Sequence, residues 1–193
     1  MSQPRRRRGD HAAHVDGTGQ SRRPRVCAFL EPIALYMAKD LYEPGDGKWQ
    51  FDYPAPSHAM VLGEGRVYQE DANDLVVFTF GNGVPMALRA ARTIEAELKW
   101  KVRVIDLRWL APLNDGFIAA EAKTAKRILV LDEGRKSAGV GEGVITAIVE
   151  AGLGATPLER VVGADTFTPL AGAAFLVLPG EADVVAAARR LAG

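Results

Sequence analysis

Residues 44–47 read Pro-Gly-Asp-Gly, and Asn73 follows after residues 48–72. A Gly-Asp-Gly with an asparagine at about this separation is the spacing by which many enzymes bring a carboxylate and an amide onto the magnesium diphosphate of thiamine diphosphate. That chemistry needs the triplet to end one strand, a helix to follow, and the asparagine to end the next strand. Residues 48–72 instead contain Pro54 and Pro56 and no helical period, and Asn73 stands before an apolar run rather than after one. Gly45-Asp46-Gly47 therefore reads as a turn in a long irregular connection.

Three other stretches carry residue types that could do chemistry. Gly81-Asn82-Gly83 leads directly into a helical pattern, so backbone N–H groups and the helix dipole could hold an anion there. The dinucleotide fingerprint fails at its sixth position, Met86, which leaves a tight strand-to-helix turn as the plainer account. Asp106 to Leu113 ends a second strand. Pro112 keeps Ala111 extended, Asn114 can cap the next helix, and Arg108 is either an interface or anion residue or, more simply, one arm of a local salt bridge. Asp132 and Glu133 are adjacent carboxylates at a third strand end, followed by Arg135, Lys136 and a Gly-rich run to Gly143. Acid–base work would need a pocket and a nucleophile beside them, so capping and pairing with Arg135 or Lys136 is the expectation.

No catalytic or metal-ligating residue is assigned. His11 and His14 lie in the N-terminal arm, His58 in the Pro-rich Asp52–Met60 stretch, and no Gly-x-Ser-x-Gly, His-Glu-x-x-His or Walker pattern occurs. Cys27 is the single cysteine, which rules out a disulfide within the chain and a thiolate zinc cluster.

The elements that must position these residues alternate regularly from residue 74 onward. Apolar runs at 75–80, 102–107, 127–132 and 159–163 predict strands, and apolar positions at helical spacing predict helices over 84–99, about 114–125, about 141–151 and about 182–192. Strands that are apolar throughout and separated by helices indicate an α/β fold, an open, mostly parallel sheet with helices on both faces.

The 193 residues carry 24 basic and 24 acidic side chains, but unevenly: residues 1–25 hold seven arginines against Asp10 and Asp16. A net +5 arm thus precedes a net −5 body. With almost no apolar content the arm is expected to be disordered. A nucleic-acid role for it is the lesser expectation. Residues 26–73 read as a stranded apolar segment plus irregular connection, and 74–193 as the α/β domain. No apolar run approaches the roughly 20 residues that span a bilayer, no secretory signal is expected, and a cytoplasmic setting is the default for one unpaired cysteine.

Six segments, "FLEPIALY" (29–36), "DYP" (52–54), "VFTFGNGVPMALRAA" (77–91), "VIDLRWLAPL" (104–113), "ILVLDEGRKSAGVGEG" (128–143) and "DTFTPLAGAAFLVLP" (165–179), together resemble the C-terminal part of the β subunit of the decarboxylating component of 2-oxo acid dehydrogenase complexes, pyruvate and branched-chain enzymes among them. The resemblance implies a transketolase C-terminal-like domain with one antiparallel edge strand and a role in assembly and partner contact. It implies thiamine diphosphate and magnesium in the full family assembly and none bound by this chain alone, because the family's pyrimidine-binding domain is represented only by "RVCAFLEPIALY". The segment "VCAFLEP" would then seek a partner, giving homo-oligomerisation or docking on 2-oxo acid dehydrogenase subunits, with Phe29, Leu30, Arg108 and Glu133 as interface candidates. Two alternatives stay open: a small module binding a phosphate-bearing molecule at Gly81, Asn82 and Gly83, and an Arg-arm nucleic-acid binder.

Overall fold

The computed structural model describes residues 26–55 and 61–193, so the arm 1–25 and His58 lie outside the described residues. The chain divides between Glu31 and Pro32. Val26–Glu31 contains neither helix nor strand, and Val26, Phe29 and Leu30 are exposed.

Among the described residues from Pro32 on, five strands and four helices follow: β1 (Arg66–Tyr68), β2 (Leu75–Thr79), α1 (Gly83–Leu98), β3 (Val102–Asp106), α2 (Asp115–Lys123), β4 (Ile128–Arg135), α3 (Val140–Glu150), β5 (Leu158–Gly163) and α4 (Glu181–Arg190). Short 3-10 turns cover Ile33–Leu35 and Ala171–Leu176. The sheet order is β1-β3-β2-β4-β5, parallel throughout except for β1, which runs antiparallel to β3 at the edge. Every residue of β2 is buried, as a central strand covered on both faces requires. Alternation sends Leu75, Val77, Val104 and Leu131 toward α1 and α4, and Val76, Phe78, Ile105 and Val130 toward α2 and α3. The predicted strands and helices all form, within a few residues of their expected ends.

Local chemistry sets the helix limits. Pro85 sits in the first turn of α1, where a missing N–H costs nothing, and Lys99 closes the helix in the left-handed region at φ 61° with its N–H donating to the Glu95 carbonyl. Asn114 caps α2 by accepting the Phe117 N–H at 3.0 Å, as expected. The Asp183 carboxylate accepts the Gly180 N–H at 2.8 Å at the start of α4, and Arg189 and Arg190 occupy its last turn, where the dipole favours cations.

Two differences from the sequence reading have physical causes. The sheet starts before residue 74, because β1 lies inside the stretch read as an irregular connection; it is three residues long and too short to display alternation. The guanidinium of Arg66 lies 5.1 Å from the Phe51 ring and 4.7 Å from the Tyr68 ring along this edge. Secondly, Ala171–Arg190 has the length and, at 1.5, the mean hydropathy of a membrane-crossing segment. Pro179 and Gly180 separate its 3-10 turn from α4, however, and the apolar positions of α4, Val184, Val185, Ala187 and Ala188, are buried in the core.

Candidate functional site

The carboxyl ends of the parallel strands bring the expected residues into one region. At the end of β2, Gly81 takes φ +56° and Gly83 opens α1 directly above Thr79; a Cβ at Gly83 would land on the Thr79 hydroxyl, so no larger residue fits. The donors of this helix start are largely spent. The Gly83 and Val84 N–H groups bond the carbonyls of Phe80 and Gly81 at 3.1 and 3.2 Å, Met86 bonds the Asn82 carbonyl at 3.4 Å, and Pro85 has no N–H. The Asn82 side chain bonds the Glu133 carboxyl, bringing a carboxylate rather than a free cradle to the terminus. Burial pushes the Glu133 carboxyl above its ordinary range; the Asn82 bond works against this and the neighbouring Asp132 with it.

Glu133 and Asp132 do not work as a pair. Consecutive strand residues point to opposite faces, and while Glu133 meets Asn82 at α1, Asp132 is buried beside α3. It accepts the Gly134 N–H at 2.7 Å and the Gly141 N–H at 2.9 Å, closing the β4–α3 loop. Asp132 thus takes the capping role, and in place of the expected pairing with Arg135 or Lys136 it holds these backbone N–H groups while Glu133 holds the Asn82 side chain. Glu142 adds a bond from the Ala138 N–H at 3.1 Å, and Arg160 donates to the Lys136 carbonyl and lies 3.6 Å from Glu142.

Arg108 makes the local salt bridge expected of it. Its Nε lies 3.5 Å from Asp106 Oδ2, and its N–H, in a backbone at φ +56°, donates to Asp106 Oδ1 at 3.2 Å. Burial raises the Asp106 carboxyl above its usual range, with Arg108 and Arg66 opposing the shift. The following Ala111–Pro112 bond is cis.

The Gly-Asp-Gly stretch is a self-contained clasp. Asp46 accepts the N–H groups of Leu41, Tyr42, Glu43 and Lys48 at 2.8–3.1 Å, while Asp40 accepts those of Gly45 and Gly47 at 2.8 Å each. Desolvation alone would raise the Asp46 carboxyl, but the four backbone donors overcome it and hold the group far below the ordinary 3.8. Leu41 anchors the clasp in the α1 core, and the Arg92 guanidinium stacks 3.7 Å from the Tyr42 ring centroid. The turn reading stands, although the connection is more tightly organised than its composition suggests. Reciprocal Asp40 and Asp46 about a Gly-rich turn were the available signal.

One feature was not singled out from the sequence. Ala164 and Val177 are joined by an N–H to carbonyl bond of 2.8 Å, closing a loop that is also pinned by the Ser137 hydroxyl donating to Asp165 at 2.6 Å. This loop displays Phe167, Leu170, Phe175 and Leu176 at 83–92% exposure. Its sequence signal is a run from Thr166 to Gly180 without a charged side chain. Phe29 and Leu30 are exposed as well, in the segment preceding Pro32.

Comparison with known proteins places this architecture. Residues 63–180 match the family described as Transketolase, C-terminal domain. The 3-methyl-2-oxobutanoate dehydrogenase subunit beta of Mycobacterium tuberculosis (strain ATCC 25618 / H37Rv) is 35% identical over 159 residues, covering 81% of this chain and 42% of that protein. The pyruvate dehydrogenase E1 component subunit beta of Staphylococcus aureus is 30% identical over 163 residues, covering 83% of this chain and 46% of that one. A solved split gene transketolase, an inactive beta4 tetramer, has the same fold with a TM-score of 0.59 at 24% identity, over 72% of this chain and 45% of that chain. The chain spans less than half the length of the curated relatives it matches. It belongs to the transketolase C-terminal domain family, and its curated relatives are β subunits of 2-oxo acid dehydrogenases.

Proposed function

We propose that this chain is the assembly and partner-contact domain of a thiamine-diphosphate-dependent 2-oxo acid dehydrogenase β subunit and performs no catalysis by itself. The observation that carries this reading is the closed, pinned loop Ala164–Val177, which holds four large apolar side chains out to solvent. Large exposed apolar groups held by a well-bonded backbone mark contact surfaces rather than pockets for chemistry.

The strand-end carboxylates fit the same reading, since Asp132 is committed to backbone N–H groups and Asp106 to Arg108. The group that this family's chemistry uses, magnesium thiamine diphosphate, does not fit the residues described. Asp46, the carboxylate of the motif that suggested it, has its oxygens taken by four backbone N–H groups, and Asn73 precedes β2 instead of ending a strand.

The test is co-expression of the full chain with the α subunit of a branched-chain 2-oxo acid or pyruvate dehydrogenase, followed by affinity purification through that subunit and calorimetry of the isolated chain with magnesium thiamine diphosphate. Stoichiometric co-purification and a flat calorimetric trace are expected. Tight coenzyme uptake by the isolated chain would refute the reading.

A further inference from the structure

We propose that Glu133 and Asn82 form a proton-operated latch between the end of β4 and the start of α1, in which a carboxylic acid and a carboxamide exchange two hydrogen bonds. Two observations on different residues meet here. The Asn82 side chain bonds the Glu133 carboxyl. An ionised carboxylate only accepts, so Asn82 uses its N–H for that contact. This leaves Asn82 Oδ1, which is closed to solvent and has no hydrogen-bond partner among the described residues. A buried acceptor left unmet costs free energy, and its missing donor is the proton that ionised Glu133 lacks. A carboxylic acid matches the edge of an amide: its O–H donates to Oδ1 while its other oxygen accepts from Nδ2. Glu133 takes that proton from water, and no other bond changes.

The surroundings favour uptake. Burial raises the Glu133 carboxyl above its ordinary range, the Asn82 N–H opposes the rise and the adjacent Asp132 adds to it. No base counters them among the described residues of the packed elements. β2 carries no charged side chain, α1 has none before Arg89, which pairs with Glu181, and Arg160 of β5 holds the Lys136 carbonyl and Glu142 of α3. Arg135 and Lys136, next along the chain, act on Asp165. The α1 dipole favours the anion, but the first N–H groups of the helix are already spent on carbonyls. Glu133 is only half-buried, so protons from solvent reach it. The sign follows: the latch is closed below the ordinary 4.5 and opens as pH rises through the higher folded pKa. It stands independently of the partner-contact reading.

The test is a pH titration of the full chain by carbon-13 NMR, following Glu133 Cδ and Asn82 Cγ, with exchange of the Asn82 side-chain N–H measured in parallel. Both carbons should move with one shared midpoint above 4.5. As the latch closes, that exchange should slow by about three- to tenfold beyond the intrinsic effect of pH, the worth of one further hydrogen bond. Glu133→Gln offers the same two bonds without a proton, so it should hold Asn82 Cγ at its acid-limit position at every pH. A Glu133 midpoint at or below 4.5 would overturn the inference. So would a Glu133 transition that Asn82 Cγ does not follow, as when a bound water serves Oδ1, or an Asn82 transition that persists in Glu133→Gln. The first two of these outcomes are read on the unsubstituted chain, so a misfolded variant cannot mask them.

Discussion

At the residue scale, the same two side-chain types, carboxylate and glycine, appear in roles that their motifs alone do not distinguish. Gly83 is fixed by the Thr79 hydroxyl beneath it, so Gly83→Ala should destabilise the protein by about 1–3 kcal/mol in chemical denaturation, with a smaller loss in a Thr79→Ala background. The carboxylates divide by the sign of their pKa shifts. Asp46 is depressed below the ordinary 3.8, so its contribution to stability is present above that value and is lost as pH falls below it toward the lower folded pKa. Asp46→Asn replaces an acceptor-only group with one that also presents N–H donors to four N–H groups. Amide exchange across Leu41–Lys48 should accelerate at neutral pH, and its acid-induced rise should disappear. Glu133 has the opposite sign: raised above the ordinary 4.5, it contributes fully below that value and loses its contribution as pH rises through the folded pKa. Glu133→Gln keeps a hydrogen-bonding partner for Asn82 without burying a charge, so it should melt higher than the wild type at neutral pH, the difference vanishing below about 4.5. A Glu133→Gln variant less stable than the wild type at neutral pH would show that the ionised carboxylate is what Asn82 requires.

At the scale of elements, the strand and helix succession was legible because each parallel strand is apolar at every position and each helix repeats its apolar side, so burial on two faces and on one leaves different periods in the chain. β1 was not legible from its own residues. Three residues on an edge, with Arg66 over aromatic rings, carry no period, and the antiparallel edge came only from the family resemblance. The site was legible in part. Asn114 and Arg108 take the roles that their positions suggested, while the partition of Asp132 and Glu133 to opposite faces follows from the strand running on to Arg135, three residues beyond the apolar run that defined it. The two N–H groups on Asp132 come from the loop and from α3, which sequence spacing does not reveal. Because Asp132 joins the end of β4 to the start of α3, Asp132→Ala strands two N–H groups at once, one of them buried. It should cost about 2–4 kcal/mol, with faster amide exchange concentrated at Gly134 and Gly141. A loss spread evenly over the sheet would indicate a general packing defect instead.

At the scale of the whole molecule, the question is where the folding unit begins. The sequence places it at residue 74, where regular alternation starts, yet Leu41 is buried in the α1 core, Tyr42 and Trp49 pack against it, and β1 pairs with β3 through Arg66↔Asp106, Val67↔Ile105 and Tyr68↔Val104. A chain beginning at Asp74 would strip the cover from α1 and leave β3 as an open edge, with its own hydrogen-bonding row exposed. Loss of the Leu41 contact alone is worth about 2–5 kcal/mol, a large share of the stability of an ordinary domain. Two truncations separate the alternatives. A chain beginning at Pro32 retains the clasp about Asp46, β1 and the whole sheet, and it should unfold at nearly the same denaturant midpoint as the full chain. A chain beginning at Asp74 should be insoluble or lose its cooperative transition. Equal midpoints for the two would mean that residues 32–73 decorate the α/β core without helping to hold it, and the packing of Leu41, Tyr42 and Trp49 on α1 would then carry no stabilising weight.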